Sequence, residues 1–145
     1  MGPRTWSKGY LAACEWGPMV DATGSILSGV AGKPAVRSAR EDGSFIGADF
    51  IRMLPGASFA MHVHDGDHVL YVISGRGLLD TPSESVPILA GHVIHIAAQY
   101  AHGVSVPKDY FYPLVFMAVG HPHHEVFSAT RSRLPPDTNP SDAGK

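Results

Sequence analysis

The sequence has one cysteine, Cys14, in 145 residues, so no disulfide can close within the chain and a reducing compartment suits it. It has no run approaching 18 uninterrupted apolar residues, and its first residues lack the long apolar stretch of a signal peptide. These absences argue against a membrane-spanning helix and lead us to expect a cytoplasmic protein with no membrane partner. Charge is also scarce. Charged residues make up 17% of the chain and the formal net charge is −2, which offers nothing to attract nucleic acid. Nor does any segment of a dozen residues carry apolar positions at helical spacing. What remains is 44% hydrophobic, too apolar for a disordered chain. A chain of this length buries roughly 70% of its unfolded surface, enough for one domain with a core.

The chain contains 16 glycines and 12 prolines, spread as punctuation between short runs rich in Val, Ile, Phe and Tyr. The runs at 45–54, 59–64, 68–74, 77–80, 86–89, 92–97, 102–106 and 112–119 read as strands. Turn chemistry separates them: PG at 55–56, DG at 65–66, SGRG at 74–77 and AG at 90–91. The stretch 19–30 is compatible with a short helix or with a strand. The pattern predicts an all-β, single-domain antiparallel β-sandwich or barrel. Its expected layout is an N-terminal arm over 1–40 packing on a barrel over 41–128, then a flexible tail over 129–145 with no aromatic residue. The arm holds both tryptophans, Trp6 and Trp16, which suits docking on the barrel or on a partner subunit.

Histidine is the residue in excess: nine, three of them within seven residues as His62, His64 and His68. His62 and His64 stand two apart in a strand run and should project from one face. A DG-containing link then predicts a hairpin that returns His68 opposite His64. One histidine on a strand is ordinarily packing or surface. Three converging within one apolar hairpin, flanked by Phe59, Met61, Val69, Leu70 and Val72, point to a divalent metal ion instead. His92 and His95 differ by three, so at most one faces the cavity. His121, His123 and His124 read as a surface turn more readily than as a second metal site.

This part of the sequence resembles the cupin superfamily, whose fold is a double-stranded β-helix, or jelly-roll barrel. Gly56, five residues, His62-Val63-His64, three residues, His68, six residues and Gly75 reproduce the spacing of the first cupin motif. His68 stands where glutamate is usual. Pro87, Gly91 and His102 match the second motif, although the common asparagine after its last histidine is missing. The matched stretch, 56–102, covers about a third of the chain. The resemblance implies a metal held by His62, His64, His68 and His102. Replacing a carboxylate by a fourth neutral imidazole leaves the ion's full +2 charge in place, a stronger Lewis acid.

The four-histidine pattern in a short chain resembles two groups: aromatic polyketide cyclases of the resistomycin type, and small iron- or manganese-dependent dioxygenases. The cyclase likeness is the closer. It implies a Zn2+-dependent intramolecular aldol closure of a hydrophobic poly-β-ketone, with Fe2+, Mn2+ or Ni2+ as other metals such a site accepts. A non-catalytic small-molecule-binding cupin is a third reading. Phe59, Met61, Leu70 and Met117 are expected to line the substrate cavity, and Tyr71, Tyr100, Asp67 and Arg52 are the candidates for proton transfer or orientation. Cupins commonly dimerise, so a homodimer is expected.

Overall fold

The computed structural model describes residues 15–21, 23–39 and 45–120. Among them are ten strands and no helix: β1 (Gly17–Val20), β2 (Ile26–Ala39), β3 (Phe45–Met53), β4 (Ser58–His62), β5 (His68–Ser74), β6 (Arg76–Asp80), β7 (Ser85–Leu89), β8 (Val93–Ile96), β9 (His102–Ser105) and β10 (Leu114–Gly120). They form a six-stranded sheet in the order β1-β2-β3-β10-β5-β8 and a four-stranded sheet in the order β4-β9-β6-β7. Every pairing is antiparallel. The fold is the all-β antiparallel sandwich expected. No helix among the described residues is long and apolar enough to cross a membrane.

The stretch 19–30, open between helix and strand, is a hairpin. Asp21 makes its turn: Oδ1 accepts from the amides of Thr23 and Ser25 at 2.9 and 3.0 Å and from the Thr23 hydroxyl at 2.6 Å. These bonds, the Thr23 hydroxyl first, hold the Asp21 carboxyl below its ordinary pKa. Residues 17–39, within the stretch read as an arm, therefore build two hydrogen-bonded strands of the larger sheet. Cys14, Trp6 and the histidines at 121, 123 and 124 lie outside the described residues, as does the tail.

Period-two alternation decides what faces the interior. Along β5, His68, Leu70 and Val72 are buried while Val69, Tyr71 and Ile73 are exposed. Along β10, Leu114, Phe116 and Ala118 are buried, and they pack with Ile51, Met53, Val104 and Ile96 in one core between the sheets.

One connection differs from the sequence expectation. β4 and β5 do not form a hairpin: β4 pairs with β9 in the smaller sheet, and β5 pairs with β10 and β8 in the larger. The DG link crosses between sheets: β5 buries His68, Leu70 and Val72 from the larger sheet, and β4 brings Phe59 and His62 to the same interior from the smaller. His64 and His68 thus meet across the sandwich.

Gly75, which closes the first motif, has φ +75° at the crossing from β5 to β6, and a Cβ there would fall on the carbonyl oxygen of Pro113. Gly75→Ala is expected to destabilise the fold by about 1–3 kcal/mol, read as a lower urea midpoint with unchanged slope.

Candidate metal centre

Three imidazoles converge at one end of the core. The ligand nitrogens of His62, His64 and His102 lie within 4.8 Å of one another. His62 ends β4 and His102 opens β9, and the two are directly paired across the strands. His64 follows in the crossing to β5. The register of β4 shifts between Phe59 and His62, a bulge that lets these two residues, three apart, both face the interior. The bulged backbone rests on Gly103, where an added Cβ would lie 2.6 Å from the Phe59 carbonyl oxygen.

The ring orientations follow from the backbone. His62 Nδ1 donates to the Ala60 carbonyl at 2.6 Å, and His102 Nδ1 donates to the Tyr100 carbonyl at 2.8 Å. A carbonyl only accepts, so each ring carries its proton on Nδ1 and turns the Nε2 lone pair toward the cluster. His62 Nε2 and His64 Nε2 lie 3.0 Å apart. Two nitrogens bound to one ion at about 2.1 Å and at right angles lie about 3.0 Å apart. The cluster fits a divalent cation on two counts: the spacing and the neutral nitrogen donors. Burial pushes the His102 pKa down, opposed by the Tyr100 carbonyl, so the ring is held in the neutral form that ligation needs.

His68 is buried in the same cavity, but its ring stacks on His64 with centroids 4.0 Å apart and planes 14° apart. Imidazole lone pairs lie in the ring plane, so two stacked rings do not aim at one point. His68 stands outside the trio. The cavity around the cluster is small, about 30 Å³. Ile51, Leu70, Phe116 and Ala118 line it from the larger sheet, Phe59 and Val104 from the smaller. The lining residues include no carboxylate, while the fully buried Asp49 stands on β3 two positions before Ile51, paired with Ala118.

The other sequence candidates divide by strand parity. Phe59 and Leu70 line the cavity. Met117 sits between inward-facing Phe116 and Ala118 and is turned away from it. Tyr71 is likewise on the outer face of β5. Arg52, between buried Ile51 and Met53, lies with its guanidinium 4.7 Å from the ring centre of Trp16. Met61 is exposed and lines a neighbouring cleft. Tyr100 contributes its carbonyl to His102 while its side chain is exposed.

Asp67 does not face the cluster. Its Oδ2 lies 2.9 Å from His95 Nε2 and its Oδ1 accepts from the Ala98 amide at 2.8 Å. The His95 bond, then the amide, holds its pKa below the ordinary value. Gln99 completes this brace: its amide donates to the His64 carbonyl at 2.8 Å and its Nε2 to Asp65 Oδ1 at 3.0 Å. The segment carrying His64 is thereby laced to the segment leading into His102. Gln99 adopts φ +64° to do so. His92 instead accepts the Leu89 amide through Nδ1 at 3.1 Å, outside the cavity.

The cupin-domain family model matches residues 49–120, about half of the chain, and spans all three clustered histidines. The chain belongs to the cupin superfamily. Among solved structures the fold is similar to the polyketide cyclase RemF from Streptomyces resistomycificus, with TM-score 0.63 and 14% identity over 80% of this chain and 79% of that one. It is similar too to an RmlC-like cupin from Shewanella frigidimarina, with TM-score 0.62 and 16% identity over 83% and 96%. A predicted oxalate decarboxylase from Thermotoga maritima aligns with TM-score 0.56 and 18% identity over 83% and 98%. No curated protein sequence matches. At these identities the likeness is one of fold.

Replacing His62, His64 or His102 singly by Ala is expected to weaken Zn2+ binding by more than about tenfold, measured by calorimetry on protein whose circular dichroism is unchanged. Stability of the metal-free protein should depend on pH in a set direction. With the His102 pKa lowered in the folded state, the unfolded chain binds more protons just below the usual imidazole range. The urea midpoint should therefore fall as pH drops through that range, and the His102 contribution should be constant above it.

Proposed function

We propose that this cupin is a metal-dependent cyclase that closes a ring in a poly-β-ketone by intramolecular aldol condensation, with Zn2+ held by His62, His64 and His102, and with His68 joining as a fourth donor only if its ring turns out of the stack on His64. The observation that carries this reading is the donor set itself: neutral imidazoles, with no carboxylate lining the cavity, at the wall of an apolar space. Held by these neutral imidazoles, which carry no charge to offset it, a divalent ion would supply Lewis-acid polarisation of a ketone oxygen and so acidify the adjacent CH2. The shared fold of the RemF cyclase supports the reading without deciding it.

The chain's own residues supply the rest. Ile51, Leu70, Phe116 and Phe59 keep water from the reacting carbons and constrain a flexible chain near its cyclising conformation. His62 is the most exposed of the four imidazoles, so a substrate reaches the cluster past its ring and that of Phe59. Asp65, Asp67, His95 and Gln99 act at one remove, fixing the two segments that present His64 and His102. The homodimer belongs to the same proposal. It is supported by the exposed apolar outer face of the larger sheet, with Val69, Tyr71, Ile73 and Val93.

Zn2+-loaded protein is expected to convert a poly-β-ketone thioester mimic to an aromatic product without taking up O2, and to lose this activity when the ion is chelated. Oxygen consumption matching product formation would replace the cyclase with a dioxygenase. His68→Gln is expected to weaken Zn2+ binding, though less than His62→Ala. Affinity within about twofold of the parent would remove His68 from the ligand set.

A further inference from the structure

A second cavity adjoins the metal cluster and is far larger, about 390 Å³. It lies between the β1–β2 hairpin and β4, an edge strand of the smaller sheet. Val20 and Leu27 form one wall, and Met61 and Val63 belong to the other. Phe59 and His62 line both this cleft and the small cavity behind it. The metal cluster alone has room for little more than a reacting group, whereas the cleft is within the size range of small-molecule sites. Its polar groups, Asp21, Thr23 and Ser58, are few and set among apolar ones.

The cleft is also preformed. The hairpin tip that makes its wall is fixed by the Asp21 carboxylate, which accepts three hydrogen bonds, and by the Asp21 amide donating to the Ser25 carbonyl at 2.9 Å. A wall of this kind does not have to be ordered by the ligand, which removes part of the entropic cost of binding. Asp21 stays ionised, so a neutral hydroxyl donor suits the rim and an anion does not.

We infer that this cleft holds the non-reacting part of the substrate, a flat, neutral, apolar ring system bearing hydroxyl or keto oxygens, while the reacting end passes His62 and Phe59 to the metal cluster. Leu27 and Met61 are then the residues that set substrate size. The choice of ligand class rests on the cyclase reading; the cleft and its contact with His62 do not.

The test is titration of the full chain, loaded with Zn2+, with 1-naphthol, followed by methyl NMR and fluorescence. Saturable shifts are expected at the Leu27 and Met61 methyls. Leu27→Trp, which fills the cleft, should weaken naphthol binding by about tenfold or more with zinc stoichiometry retained. Met61→Ala, which removes wall contact without adding bulk, should weaken it about fivefold and serves if Leu27→Trp fails to fold. No saturable binding overturns the inference. So does naphthol affinity within about twofold of the parent in whichever variants fold, or shifts confined to Val69 and Ile73 on the outer sheet face. Absence of turnover on a poly-β-ketone would sink the cyclase and leave the naphthol isotherm untouched, so the two failures are distinguishable.

Discussion

Two hydrogen bonds of one kind govern the site. In each of His62 and His102, Nδ1 donates to the carbonyl of the residue two before it, Ala60 and Tyr100. Strand backbone thereby decides which nitrogen carries the proton and where the other lone pair points. Without those carbonyls each ring could take either tautomer, and a metal ion would have to select the productive one at its own expense. The bulge in β4 matters for the same reason, because it turns His62 inward with Phe59 while Gly103 gives the kinked backbone room.

Around these bonds the fold distributes support unevenly. His62 and His102 sit in a ladder, where neighbouring strands hold them. His64 lies in a crossing segment with no ladder, and there side chains take over: Asp65 and Asp67 reach to Gln99, His95 and the Ala98 amide. Exposed polar contacts of this kind contribute little to stability as a rule. Here their effect is positional, since they tie together the two loops that present ligands from opposite sides of the cluster.

Much of this was legible in the chain. The motif spacing from Gly56 to Gly75 and from Gly91 to His102 pointed to the fold and to the three histidines that cluster, His62, His64 and His102, while the stacking of His68 on His64 has no local signal. The strand candidates fall on β3 to β10. What sequence could not convey was partnership between strands. A DG link looks alike whether it closes a hairpin or crosses between sheets, so the β4–β5 pairing was misread. Met117, Tyr71 and Arg52 look suitable by chemistry, yet parity turns them outward, and Phe116, Leu70 and Ile51 beside them face in. Asp67 is polar and adjacent to a ligand, but its partner His95 stands 28 positions away, a separation that only the folded chain closes.

The direct pairing of His62 with His102 across β4 and β9 ties chemistry to the breathing of a sheet edge. β4 is bonded on one side only, and its short ladder is the part of the smaller sheet most easily unzipped. Two donors carried by paired strands keep a fixed separation for as long as the ladder stays closed. Opening β4 from β9 would part both nitrogens at once, so the spacing of the cluster is a property of the strand pairing rather than of either side chain alone.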